Sequence, residues 1–451
     1  MKNITLLMVS LLFIATAAIA QQKTSANAIY THPNWIMQGN VYEVNVRQYT
    51  KEGTFNAFGK HLDRLKKMGV QTIWFMPINP ISKKDRKGTL GSYYAVSDYT
   101  AINPEFGTLA DWKNLVNAIH AKGMKVIIDW VPNHTGADHR WLDTHQDFFV
   151  KDSTGQPATM FDWTDTRILD YKNEVMQDSM INEMKYWLTE TKIDGFRCDV
   201  AWNVPGSFWI KCTKALLQTK PNIFMLAEGD NAYLHHSGFD ATYPWEFFHM
   251  MAKVAAGERP AFALDSVKNK YDTVYPKTAI ELHFTSNHDE NSWNKADYGI
   301  FAGPIHAPFA VLSQTMARSV PLIYSGQEEP LLRPLAFFEK DPIEFGKYLR
   351  APFYTTLLNL RKRNSALAAD AAFTKLNVGD DKALYAFVRS KGANKVLVIL
   401  NLSAQAQKVT IRDKKLLGTA TNVFNGKAIQ ITNQPASLPA WGYAVYEYPK
   451  Q

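Results

Sequence analysis

Gly195-Phe196-Arg197-Cys198-Asp199-Val200 reads as a short buried strand that opens on a glycine and carries an arginine and a carboxylate at its far end. Alternate residues of a strand point to one face, so Arg197 and Asp199 share a face and Cys198 points the other way, into packing. A guanidinium beside a carboxylate holds it ionised at neutral pH, the state a nucleophilic carboxylate needs. A structural ion pair would read the same way. The strands around this one decide between the two.

Just upstream, Met180, Met184 and Trp187 recur at helical spacing before the break at Asp194-Gly195. The same helix, glycine, strand unit occurs twice earlier in the chain. Phe58, Leu62, Leu65 and Met68 lead to Gly69 and the apolar run 70–77; Trp112, Leu115, Val116 and Ile119 lead to Gly123 and the run 125–132. Near-continuous apolar runs after helices are the mark of parallel strands buried on both faces. With a first strand at 41–46 and others at 223–227, 239–243, 280–285 and 320–325, eight are expected. Eight βα repeats predict an α/β fold, a (β/α)8 TIM barrel, with its site where the strands end.

Two stretches depart from this rhythm. Residues from about 135 to 171 are rich in Asp, Thr, His and Trp without a period, and read as an excursion after the third barrel strand. From 366 to 451 only short β-type runs separated by Gly, Asn and Ser remain, which predicts a C-terminal antiparallel β-sandwich domain. The barrel is then assigned to 21–365. Residues 1–20 combine Lys2, an apolar block and Ala18-Ile19-Ala20, the pattern of a cleavable signal peptide, with no cysteine following for a lipid anchor. A periplasmic or secreted protein is the expectation.

The formal charge of +8 comes from scattered Lys and Arg, which argues against nucleic acid as a partner. The chain has only two cysteines, Cys198 and Cys212. That is sparse for a disulfide framework and offers no zinc spacing.

Polar residues gather at the ends of the expected strands: Asp129, Asn133 and His134 on the third, Arg197 and Asp199 on the fourth, Glu228 on the fifth, and Asn287, His288 and Asp289 on the seventh. Each alone could cap a helix or face solvent. Together they ring one rim, and two carboxylates flanking one bond are what glycoside hydrolysis requires. Tyr93, Tyr94, Trp163 and Trp202 are candidate platforms for sugar rings, or ordinary core.

Asp129-Trp130-Val131-Pro132-Asn133-His134, Gly195 to Asp199, Ala227-Glu228 and Ser286-Asn287-His288-Asp289 resemble, in order, the four signature regions of the α-amylase family, glycoside hydrolase family 13. Residues 169–173 and 91–108 resemble two further segments of that family. The resemblance implies Asp199 as nucleophile, Glu228 as general acid/base and Asp289 as transition-state stabiliser. It implies Arg197 orienting Asp199, His134 and His288 on sugar hydroxyls, and Tyr94 stacked on the ring. It also brings calcium, with Asn133 and Asp170 as ligands. The family's Lys-His pair after the nucleophile is replaced by Trp202-Asn203, as in neopullulanase-like subfamilies, which removes one familiar calcium contributor. The implied activity is retaining hydrolysis of α-1,4 bonds in starch-derived glucans. Transglycosylation, α-1,6 cleavage and a catalytically silent carbohydrate-binding protein are the alternatives.

Overall fold

Eight runs of apolar residues, each lined on both sides by parallel neighbours, close on one another in this computed structural model, which describes residues 31–450. The signal peptide expected at residues 1–20 lies outside the described residues, and every element of the fold belongs to the compact unit that begins at Pro33. The strands are β1 (Val41–Val44), β2 (Thr72–Phe75), β3 (Lys125–Trp130), β4 (His134–Gly136), β5 (Thr166–Ile168), β6 (Gly195–Cys198), β7 (Phe224–Ala227), β8 (Ala241–Thr242), β9 (Ile280–His283) and β10 (Ser319–Tyr324). All except β4 and β5 form the closed barrel, in the order β1-β2-β3-β6-β7-β8-β9-β10 and back to β1. The (β/α)8 barrel expected from the repeated units is present.

Burial on both faces explains why these strands read as continuous apolar runs rather than alternating ones. Along β2, β6, β7, β9 and β10 every residue is buried. Register then sets the rim: Asp129 on β3 stands opposite Arg197 on β6, and Cys198 opposite Ala227 on β7. Glu228, the next residue after β7, therefore emerges beside Asp199, the next residue after β6.

Helices Leu109–Ala121, Glu174–Glu190 and Gly206–Thr219 cover the outside. The first starts with a capping box, Thr108 with Asp111, which satisfies two orphan backbone donors at once. Met180, Met184 and Trp187 are buried on the second, as their spacing predicts. The stretch 55–68 departs from a single helix: Phe55–Gly59 and Leu62–Met68 are separate pieces. In the excursion after β3, β4 and β5 form an antiparallel pair that the aperiodic sequence did not announce. Cys198 and Cys212 are both buried free thiols.

Beyond helix Ala351–Arg363 the chain becomes antiparallel sheet. The strands are β11 (Ala372–Leu376), β12 (Leu384–Lys391), β13 (Asn394–Asn401), β14 (Gln407–Val409), β15 (Gly418–Asn422), β16 (Ala428–Ile431), β17 (Ala436–Leu438) and β18 (Tyr443–Glu447). Six pair in the order β11-β12-β13-β18-β15-β16, and β14 pairs with β17. Short, half-exposed strands such as β16 and β17 carry too weak a pattern to be read from sequence. Arg389 on β12 pins this sheet to the barrel. Its buried guanidinium donates to Thr315 O at 2.8 Å, to Met316 O, and to Ala368 O at 2.7 Å.

Candidate active site

At the carboxyl end of the barrel, one guanidinium holds three carboxylates. Arg197 Nη1 donates to Asp129 Oδ1 at 2.9 Å and to Asp199 Oδ1 at 2.8 Å. Its Nη2 lies 3.1 Å from Glu228 Oε1. Arg197 is only 1% exposed and rests against the Trp74 ring, 5.1 Å from its centroid. A cation so placed cannot be neutralised and fixes its partners by fork geometry. The second oxygen of Glu228 accepts Val200 N–H at 2.7 Å. Val200 reaches that position at φ 45°, a left-handed conformation that is costly for a β-branched residue and is often found at functional sites.

Burial, then the neighbouring Glu228 carboxylate, pushes the Asp199 carboxyl well above its ordinary value, against the pull of Arg197. Burial likewise brings Asp129 up to about 6. Acids this close titrate as a set, so the proton on Asp199 answers to the charges of its neighbours as well as to burial. One ionised and one protonated carboxyl is the state a nucleophile and a proton donor need together.

Asp289 follows Asn287, whose side chain caps a short helix by accepting Glu290 N–H at 2.8 Å. Burial would raise the Asp289 carboxyl, but His288 beside it, at 3.3 Å, holds it below its ordinary value. His288 shows the converse: burial would lower it, while Asp289 and Glu43 raise it well above the usual imidazole range. His288 does not line the cavity, although the resemblance placed it on sugar hydroxyls. Its Nδ1 is 2.5 Å from Glu43 Oε1 and its Nε2 is 2.8 Å from Tyr94 OH, so both nitrogens already have protein partners. Tyr94 OH in turn donates to Asp129 Oδ2 at 3.1 Å. His134 does line the cavity, and burial takes its imidazole down to about 4, so it is neutral there.

The cavity measures about 530 Å³, a size suited to a small ligand. Asp199, Glu228, Asp289, Tyr94, His134 and Trp163 are on its wall, while Arg197 and His288 stand behind it. Trp202 is outside the cavity and 43% exposed, and Tyr93 is buried beneath Arg47. Sequence reasoning missed Lys87, Trp293, Phe337 and Phe338, which also line the cavity. Trp293, four residues past Asp289 and so on the same helical face, was the available signal. Adjacent aromatics at 337–338 in an aperiodic stretch gave none.

Calcium at Asn133 and Asp170 is not supported by the donors present. Asn133 Oδ1 accepts from Asn203 Nδ2 at 2.8 Å, and Asp170 Oδ1 accepts Lys172 N–H at 3.0 Å. Among the described residues no three His, Cys, Asp or Glu side chains converge as a metal site. A Ca²⁺ ion needs six or more oxygens, and Asn203 supplies an amide hydrogen where a ligand would stand.

Comparison with known proteins agrees with this architecture. Residues 25–168 and 154–334 match the model for the alpha-amylase catalytic domain, and residues 384–443 match that of the alpha-amylase SusG C-terminal domain. Alpha-amylase MalA of Haloarcula japonica is 25% identical over 85% of this chain, and a cyclomaltodextrinase of a Bacillus species is 27% identical over 76%. The aligned regions span 58% and 64% of those relatives' own lengths. The crystal structure of a maltogenic alpha-amylase, AmyB of Thermotoga neapolitana, superposes with a TM-score of 0.83 at 27% identity, covering 92% of this chain and 99% of that one. With the catalytic-domain model spanning well over half of its residues, the chain belongs to the alpha-amylase family.

Proposed function

We propose that this protein hydrolyses α-1,4-glucosidic bonds in starch-derived glucans and maltooligosaccharides with retention of anomeric configuration. The observation that carries the reading is the single Arg197 guanidinium bridging Asp199 and Glu228 at a cavity wall. Asp199 attacks the anomeric carbon while Glu228 gives its proton to the departing glycosidic oxygen. Glu228, now a base, takes a proton from water, whose oxygen displaces Asp199 and restores both groups. Asp289 sits across the cavity as an anion for the positive charge that develops on the ring. Arg197 holds both carboxylates in place by its two nitrogens, and His134 and Tyr94 bind the ring.

A preference for short or branched maltooligosaccharides, as in neopullulanase-like enzymes, is favoured by Trp202 and Asn203 and by the cyclomaltodextrinase relative. Export to the periplasm or the medium belongs to the same proposal and rests on residues 1–20 alone. Maltoheptaose, pullulan and starch incubated with the protein, beside Glu228→Gln, test it, with anomeric configuration followed by NMR. Shorter α-configured products, lost in the variant, are expected. Products longer than the substrate would point to transglycosylation, and binding without turnover on any of the three would overturn the reading.

A further inference from the structure

Residues 82–91, in the loop after β2, are fastened on two sides. Toward the excursion after β3, Lys87 Nζ donates to Asp162 O at 2.7 Å and Arg167 Nη2 pairs with Asp85 Oδ2 at 2.9 Å. Toward the loop after β10, Thr89 N–H donates to Glu339 Oε1 at 2.8 Å and Leu90 N–H to Phe338 O at 3.0 Å. Between these ties sits Gly88, at φ +63°, where a Cβ would come within 2.5 Å of Phe338 Cβ. Backbone and aromatic side chain meet there without a gap that a further side chain could fill. The segment thus links two rim loops that are not neighbours in the barrel, and Lys87 and Phe338 both line the cavity.

Barrel order fixes where the segment stands relative to the chemistry. Glu228 follows β7, three strands round from β2, whereas Tyr94 comes directly after the segment and reaches Asp129 and His288. With Glu228 as proton donor, the oxygen it protonates belongs to the departing chain. The segment therefore stands on the other side, beyond the ring that Asp199 attacks, which in an α-1,4-glucan is the direction of the non-reducing end. We propose that residues 82–91 close this end of the cavity, so that the site accepts the non-reducing terminus of an α-glucan and releases a short product of set length. Lys87 is the specificity-determining side chain, presenting its ammonium to the terminal hydroxyls.

The inference rests on the proposed hydrolysis, and one comparison separates the two. Aryl maltoheptaoside is compared with the same compound blocked by an ethylidene acetal on its non-reducing ring. The free compound is expected to be cleaved at least about tenfold faster by kcat/KM, because a closed end discriminates sterically. One short product should dominate from both maltoheptaose and amylose. Equal rates on blocked and free compounds would overturn this inference alone; no cleavage of the free compound would overturn the hydrolytic reading and this one with it. Lys87→Ala, or replacement of residues 84–89 by two glycines, should narrow the ratio and lengthen the products. An unchanged ratio and product length in both variants, folded by circular dichroism, would overturn the role given to the segment.

Discussion

Arg197 is shared among Asp129, Asp199 and Glu228, so its loss would leave a buried cluster of acids without a counter-charge. Arg197→Lys offers a point charge in place of a fork and should lower kcat, because the two carboxylates lose their common bidentate anchor. The sign of its pH effect comes from the pull of Arg197 on Asp199: with that pull weakened, Asp199 rises further and ionises later. The acid limb of kcat/KM should move to higher pH, which a pH profile of the variant checks. Glu228→Gln removes the transferable proton and should cost about 10²- to 10⁴-fold in turnover, with maltooligosaccharide binding retained by calorimetry. Because Asn203 Nδ2 occupies the oxygen of Asn133, incubation with a chelator should leave activity within about twofold. The positions of Asp199 and Glu228 were readable because the two-residue period and the barrel rule place strand-end residues on one rim. The backbone of Val200 was not, since nothing in a valine announces φ 45°. Nor could sequence show that His288 spends both ring nitrogens inside the protein.

At the scale of elements, β6 depends on the residue that opens it and on the one before. A Cβ on Gly195, at φ +151°, would lie 1.9 Å from Phe224 O, the backbone of the adjacent strand. Gly195→Ala should therefore break the β6–β7 pairing and cost more than about 3 kcal/mol, seen as loss of soluble protein or a large drop in Tm. Asp194, just before it, gathers His120 Nε2 at 2.7 Å, Lys125 Nζ at 3.1 Å and Val126 N–H at 3.0 Å. Burial opposes its charge, but His120, Lys220 and the Val126 N–H bring the carboxyl down to about 2. A carboxyl lowered on folding contributes stability above its unfolded value, and that contribution disappears as pH falls toward 2. Asp194→Asn should cost about 2 kcal/mol at pH 7 and progressively less between pH 4 and 2, measured by denaturant titration at each pH. The barrel strands and their helices were legible because burial on two faces and a 3.6-residue period leave strong marks. The β4–β5 pair and residues 82–91 were not, the first being two three-residue strands far apart in sequence and the second held by scattered bonds at irregular spacing.

Across the whole molecule, barrel and C-terminal sheet meet at Arg389, whose guanidinium is buried among backbone carbonyls and is lowered by burial to about 9 against the pull of Asp370. Arg389→Ala would leave the carbonyls of Thr315, Met316 and Ala368 without their donor. A loss of about 3 kcal/mol or more is expected, with Tm falling and both parts still unfolding together in calorimetry. That the chain changes class near residue 366 was visible in composition; how the two parts are fastened was not, because an interior arginine looks like any surface one. The ties of residues 82–91 to Asp162 and Glu339 share no residue with the Arg197 cluster, and this separation has a consequence for how such a protein can vary. The bond to be cut is defined at one place and the stop against which the polymer is measured at another. A change in the length of that one surface segment would reset the ruler and leave the cutting edge as it is.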